Sequence, residues 1–302
     1  MRALIGLKYI DIIAREGSIR RAAEVLAIAP SALNRRLKAI ETELDVQIFE
    51  RMPRGVRLNA AGEILIKYIR VQSSDFEWVK SQIADLSGIR RGHVSIACSQ
   101  ALLPFFLPKQ VDEYSIEHPN VQFCVLPRDR AAAEAALSDY SADLALVFEP
   151  ISMSEFQTII TVRQNICAVM DRDHPLAEKS VLRLRDCLQY PLALPTKAFG
   201  VRHLFDQAMS RLGQEMPLAL ESDSFEFLRM TINKTNRITF QIDVGIDKLN
   251  RDSRLVSRQI ATSDIACGLL HLGHLRGRVL PVAVAKFATQ IAQSLSSQYE
   301  TL

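Results

Sequence analysis

Between residues 65 and 86 the side chains Leu65, Ile69, Gln72, Phe76, Val79, Ile83 and Leu86 follow one another at alternating spacings of four and three. All but Gln72 are apolar. A repeat of this kind is one long helix with a seam that needs a surface to cover it. Asn59 is placed to cap its start, and Ser87-Gly88 to end it. Such a seam can cover its own domain, but no second apolar element lies nearby in sequence before residue 93. Pairing with a second copy of the chain is therefore the better reading. The helix divides the chain into residues 1–58, residues 59–88 and, after a hinge at Ile89-Arg90-Arg91-Gly92, residues 93–302.

The parts on either side differ in charge. Residues 1–92 hold 16 Lys and Arg against 11 Asp and Glu, a net of +5, whereas the other 210 residues hold 21 against 23, a net of −2. An anionic partner is expected for the first part only. At 302 residues and about 150 residues per domain, two or more domains are expected.

The basic part reads as a DNA-binding module. Leu4, Leu7, Ile10 and Ile13 mark a first helix over Leu4 to Arg15, ended by Gly17. Ser18 is the N-cap of a second, Ile19 to Leu26, which buries Ile19, Ala22, Ala23 and Leu26. Pro30 opens a third, where its missing N–H costs nothing. There Leu33, Leu37 and Ile40 point inward, while Ser31, Asn34, Arg35 and Lys38 form another stripe suited to base edges, with Arg36 toward a phosphate. This order matches a helix-turn-helix. Arg51, Arg54 and Arg57 surround a Pro53–Gly55 turn, as in a β-wing that grips phosphates. Ser18, Arg20 and Arg21 complete the candidate DNA-contacting set.

Residues 16–63 carry a specific resemblance. Gly17-Ser18, Ala22-Ala23, Leu26, Ala32-Leu33, the Arg35 to Glu41 run, Leu44, Phe49, Arg51, Gly55, Leu58 and Ala61-Gly62-Glu63 stand in the order of the LysR-type transcriptional regulators, and the chain resembles that family. It departs at Arg20, where the family usually has Ser, Thr or Phe, at Ala29, where a capping Ser or Thr is common, and at Asn34, a frequent Ser. These changes bear on the target sequence and not on the binding mode. The resemblance implies a linker-helix dimer on a pseudo-palindromic promoter site, pairing of dimers into a homotetramer, and a contact with RNA polymerase.

From His93 strands alternate with helices: Val94 to Cys98, helix 105–117, Val121 to Leu126, helix Ala131 to Tyr140, Asp143 to Phe148. This order implies a parallel sheet. A second such unit is expected from about 163 to 265. The expected class is thus α/β overall, with a winged helix-turn-helix, a long linker helix and two α/β lobes, about 93–162 with 266–302 and about 163–265. The lobes resemble the periplasmic-binding-protein-like effector domain of the family.

Ligands bind beyond the C-terminal ends of parallel strands. Ser99, Gln100 and Ala101 follow the first strand and open a helix, Arg128 follows the second, and Phe148 ends the third. Pro195, Thr196, Phe199, Gly200 and Arg202 surround a second helix start, with Lys197 nearby. A small carboxylate co-inducer is the expected ligand, and no other cofactor. Ser99 and Thr196 can also be plain helix caps. The family has a Gly-rich stretch where this chain has Asn233 to Phe240, so contacts there are not carried over, and either an unusual effector or a partly filled pocket is expected.

Other classes find less support. No GxSxG, HExxH, P-loop or GxGxxG is present, so no catalytic residue and no metal ligand is assigned, and no enzyme is expected. His271 and His274 read as loop residues. Five scattered cysteines without a CxxC pair read as reduced thiols, inert in an apolar setting for all but Cys187, against a redox sensor. No apolar run approaches the roughly 18 residues of a membrane span, and Lys8 and Asp11 interrupt any signal peptide. A cytoplasmic protein without a membrane partner is expected, rather than an exported solute receptor.

Overall fold

The computed structural model describes residues 2–86, 91–246 and 254–302. The chain forms two compact units, Met1–Lys80 and Ser81–Leu302.

In the first unit α1 (Arg2–Glu16), α2 (Ile19–Val25) and α3 (Pro30–Glu43) precede a two-stranded wing, β1 (Phe49–Met52) and β2 (Gly55–Leu58), and α4 (Ala60–Leu86). Ile10, Ile13, Ala22, Ala23, Leu33, Leu37, Ile48 and Phe49 make its core. Gly17 ends α1 at φ +58°, and Ser18 caps α2 by accepting from the Arg21 N–H at 3.4 Å.

Asn59 caps α4, accepting from the Gly62 N–H at 2.8 Å. The seam, however, splits in two. Ile69 is fully buried and packs with Ile66 and Leu65 into the core of the first unit. Phe76 (47% exposed), Val79 and Ile83 (59%) face outward. The expectation that no apolar element is at hand to cover the helix fails for its first turns, because α1 returns to meet them. An ion pair from Arg70 Nε to Asp11 Oδ1, 3.0 Å, ties the two helices. Consequently the unit boundary falls inside α4 rather than before it. Residues 87–90, with the expected helix end and half of the expected hinge, lie outside the described residues; Arg91 and Gly92 are not hinge residues but open a strand, β3 (Arg91–Cys98).

The second unit has two lobes. Lobe I continues from β3 through a 3-10 turn (Gln100–Leu102), α5 (Phe106–Glu117), β4 (Asn120–Pro127), α6 (Arg130–Ser138), β5 (Leu144–Phe148) and β6 (Phe156–Gln164). Lobe II holds β7 (Ile166–Asp171), β8 (Val181–Leu182), α7 (Leu184–Cys187), β9 (Leu192–Pro195), α8 (Gly200–Leu212), β10 (Leu218–Ser222), α9 (Phe225–Thr231), β11 (Thr239–Ile242) and β12 (Leu255–Ile260). The chain then returns to lobe I as β13 (Gly268–Leu275) and α10 (Val282–Gln298).

The lobe I sheet has the order β4-β3-β5-β13-β6. Its first three strands are parallel, as their βαβαβ order demands, and β13 runs antiparallel to both neighbours. Lobe II departs from the expected repeat of that unit. Its sheet is mixed, in the order β11-β7-β12-β8, with β7 antiparallel to β11 and to β12. The parallel pair β9–β10 joins it through a Leu192–Ile238 bridge. The cause is the chain crossing at residue 165: β7 enters lobe II from the hinge, so its start faces lobe I, whereas β9 and β10 end there. His271 and His274 lie in β13, not in a loop; burial lowers both imidazole pKa values. No described helix is long and apolar enough to cross a membrane.

Candidate DNA-binding surface and effector cleft

Burial of Leu33 and Leu37 fixes which side of α3 faces out. Ser31, Arg35 and Lys38 are exposed on that side, and Asn34 is half-buried at its margin. Glu41, nearly buried, accepts from the Ile48 N–H at 2.9 Å and pins the end of α3 to the segment that leads into the wing. That anchor was not singled out in the sequence; a lone acid late in a helix gives no signal of it. Arg36 is held differently from the expected phosphate contact. Its guanidinium stacks 4.9 Å from the Tyr9 ring centroid and donates to the Tyr9 hydroxyl.

Ala29, the N-cap of α3, makes no side-chain cap bond, and Ala27 in the preceding turn sits at φ +52°. A left-handed non-glycine residue costs roughly 1–2 kcal/mol, so this turn carries some strain.

The wing pairs Phe49 with Leu58 through Met52 with Gly55. Gly55 stands at φ +121°, and a Cβ there would lie 2.1 Å from the Gly17 carbonyl oxygen. That carbonyl accepts from the Val56 N–H at 2.9 Å, so the wing is fastened to the turn between α1 and α2. Arg51, Arg54 and Arg57 are all exposed; Arg57 also pairs with Glu50 opposite it, at 3.1 Å. Of the α2 candidates, Ser18 is occupied as a cap, Arg20 lies near Glu24 at 3.5 Å, and Arg21 donates to the Glu16 carbonyl.

In the second unit the ends of β3, β4 and β5 meet the start of α8. Ser99, Arg128, Phe148, Phe199 and Gly200 line one cavity, but its volume is only about 10 Å³. That is room for about one water molecule. The Phe148 and Phe199 rings, both buried, fill the space. Phe199 stands edge-to-face on Phe225 at 5.1 Å. Gly200 is pressed against lobe I, where a Cβ would lie 2.6 Å from the Phe148 carbonyl oxygen.

Arg130 closes the same place. It donates through Nε to the Ala198 carbonyl at 3.3 Å and through Nη1 to the Glu149 carbonyl at 3.0 Å, joining the lobes. It was missed in the sequence; its one mark is its place directly after Asp129, which caps α6.

The remaining expected cleft residues do other work. Ser99 accepts from the Ala101 N–H at 3.4 Å, yet it opens a 3-10 turn of three residues and not an α-helix. Gln100 and Ala101 do not line the cavity. Thr196 is not a helix cap: its hydroxyl donates to Asp223. Phe199, without a side-chain bond, is the N-cap of α8. The Pro195 carbonyl accepts from Arg202 Nη1 at 3.1 Å. Arg202, 3% exposed, is paired with Asp206 at 2.7 Å and with Glu221. Its charge clamps α8 to β10 and faces no open space.

Burial pushes the Cys98 and Cys187 thiols up to about 12, so neither is a thiolate near neutrality. Cys187 is thus fully buried, against its expected place outside the apolar set, while Cys124 and Cys267 are half-buried.

With this geometry in view, residues 4–63 match the profile of the bacterial regulatory helix-turn-helix protein, lysR family, and residues 87–296 that of the LysR substrate binding domain. Among curated proteins the chain is similar to the HTH-type transcriptional regulator YbhD of Escherichia coli, 28% identical over 68% of this chain and 65% of that one. It is similar also to the HTH-type transcriptional regulator CysB of Burkholderia cenocepacia, 26% identical over 79% and 77%. Among solved structures it resembles a full-length OxyR variant from Pseudomonas aeruginosa, with a TM-score of 0.72 at 18% identity, covering 95% of this chain and 94% of the other. Full-length CbnR complexed with its target DNA matches with a TM-score of 0.56 at 15% identity, covering 97% and 99%.

Proposed function

We propose a mode of action for this chain, which belongs to the LysR family of bacterial transcriptional regulators. It is a sequence-specific DNA-binding regulator controlled by a small-molecule effector bound between two α/β lobes. Ser31, Asn34, Arg35 and Lys38 enter the major groove, and Arg51, Arg54 and Arg57 hold phosphates, with Arg20, Arg21 and Ser18 at the flank. The observation that carries this reading is the outward stripe on α3, whose opposite face is buried in the core. Two copies pair through Phe76, Val79 and Ile83, the exposed part of the α4 seam. Such a dimer reads a two-fold related promoter site. Dimers pair into a tetramer, RNA polymerase is the downstream partner, and the protein works in the cytoplasm. No residue is assigned a catalytic role.

The effector is a small carboxylate that enters at Ser99, Arg128 and Phe148 of lobe I and Phe199 and Gly200 of lobe II. With about 10 Å³ between them, the arrangement seen is the closed one. A ligand shifts the population toward a more open arrangement by its differential affinity alone. Arg130 supports this reading, since its partners across the lobes are neutral carbonyls that a carboxylate can replace at a gain.

The test uses duplexes selected from a random pool. Arg35→Ala is expected to weaken the selected site by roughly 1–3 kcal/mol and leave non-specific DNA little changed, whereas Arg54→Ala weakens both alike and lowers the salt slope by about 1. Equal losses on both DNAs for Arg35→Ala would remove α3 from base readout.

A further inference from the structure

Two crossing segments join the lobes, one leaving lobe I after Gln164 and one returning at Cys267. Their side chains form one chain of hydrogen bonds. Cys267 Sγ donates to Asn165 Oδ1 at 3.2 Å, Asn165 Nδ2 to Asp243 Oδ2 at 3.1 Å, and Cys167 Sγ to Asp243 Oδ1 at 3.3 Å. Asp243 opens a 3-10 turn of lobe II (Asp243–Gly245), and its N–H donates to the Asn165 carbonyl at 3.2 Å. Crossings of this kind are where a few residues absorb the relative motion of two bodies.

A third piece of chain lies beside them. α10 of lobe I ends at Tyr299, whose N–H donates to the Leu295 carbonyl at 2.9 Å. The next residues run antiparallel along β6, an edge strand of the lobe I sheet. The Arg163 N–H donates to the Glu300 carbonyl at 2.9 Å and the Leu302 N–H to the Thr161 carbonyl at 3.1 Å, with Thr301 opposite Val162. These bonds fix the segment to lobe I just before the chain crosses over. Tyr299, however, stands against lobe II. Its ring is half-buried on the core that both lobes share, and burial, with Asp243 and Cys167 close by, pushes its phenol up to about 12. Both neighbours are lobe II members of the crossing network. The cleft lies toward the other face of the lobe I sheet, because α10 packs on the face of Ile96 and Leu146, whereas α6, which opens with Arg130, packs on that of Ala97 and Val147. A rotation that parts the lobes at Arg130 therefore also moves lobe II against Tyr299.

We propose that Tyr299 to Leu302 form a strap over the crossing, a strand fixed to lobe I that holds the Tyr299 ring on lobe II and thereby favours the closed arrangement of the lobes. A contact made in one arrangement and lost in another shifts the balance between them by that difference alone. The edge bonds decide where the ring stands, the ring bears on lobe II, and slackening either one releases the cleft on the far face. The strap touches no effector-lining residue. It rests on the closed form of the cleft and on no identity of its ligand.

The experiment follows amide hydrogen exchange of the full-length protein by mass spectrometry, with no ligand added. The reporters are the segments holding Phe148–Glu149 and Ala198–Gly200 at the cleft, and β3 is the internal reference. Tyr299→Ala is expected to speed exchange of both cleft segments about fivefold or more, while β3 keeps its slow exchange. Leu302→Pro removes only the N–H that bonds the Thr161 carbonyl, and is expected to speed the same segments about twofold. Glu300→Gln, which alters an exposed pair with Arg163 at 3.7 Å and keeps the main-chain bonds, is expected to change neither segment. Faster exchange confined to residues 161–163 and the end of α10, with the cleft segments unaltered, overturns the proposal and leaves the tail a mere cover for the β6 edge. An equal rise in β3 also overturns it, since the tail would then only stabilise lobe I as a whole. Because no effector is present, either failure leaves the effector reading intact.

Discussion

The outer face of α3 and the cleft between the lobes are both basic, but they hold their charge in opposite ways. Arg35 and Lys38 stand in solvent on a rigid helix, so contact with a polyanion requires no internal bond to break. In the effector unit Arg202 is locked in a buried pair of salt links, and Arg130 is spent on carbonyls of both lobes. One surface is ready before its partner arrives; the other must give something up to admit one. Affinity at the first is therefore governed by salt, and at the second by the cost of parting the lobes.

The largest test of that contrast is Gly55→Ala. The added Cβ would meet the Gly17 carbonyl oxygen at 2.1 Å, in a backbone region that disfavours side chains. A loss of about 3 kcal/mol in the first unit is expected, read from urea denaturation, together with loss of DNA binding. Retained binding with a displaced wing would show that the preformed surface does not need its fastening. Phe148→Ala comes next. Removing a buried ring from a closed contact is expected to cost about 3 kcal/mol in the second unit and to leave a void between the lobes. A change within about 0.5 kcal/mol would mean that the cleft is as open as α3.

A third test concerns acid. Hydrogen bonds from Arg183, with the Leu184 N–H, hold Asp264 down to about 2. A depressed carboxyl contributes stability above its unfolded pKa of about 3.9, and that contribution fades as pH falls toward 2. Asp264→Asn is expected to flatten this part of the stability profile of the second unit, and an unaltered profile would exclude the link. The smallest effect is a gain: Ala29→Ser supplies the missing cap of α3 and is expected to raise the stability of the first unit by about 1 kcal/mol. No gain would mean that the turn around Ala27 and Ala29 cannot bring a hydroxyl to the helix end.

Legibility in the sequence followed the range of the interactions. The stripes of α3 could be read because Leu33 and Leu37 are one helical turn apart, and Pro30 at the start of α3 and Gly17 at the end of α1 mark helix ends by backbone chemistry alone. The three parallel strands of lobe I followed from strict alternation with helices. The seam of α4 was half misread, because a period of three and four shows that a face is apolar but not which surface covers it; α1, some fifty residues earlier in the chain, decided the matter. The mixed sheet of lobe II depends on pairing Val169 with Ser257, across nearly ninety residues, which local pattern cannot reveal. The closed cleft was least legible of all. Ser99, Arg128, Phe148 and Phe199 were named and do come together, yet only side-chain packing shows that two rings and Arg130 already occupy the space.

The divided seam of α4 has a mechanical consequence. Its first turns are keyed into the core that carries α3, by Ile66, Ile69 and the link from Arg70 to Asp11. A keyed shaft cannot turn without turning what is fixed to it. Within the first unit, a turn imposed at Phe76 and Val79 is therefore carried to the recognition helix as rotation, rather than lost in a slack joint.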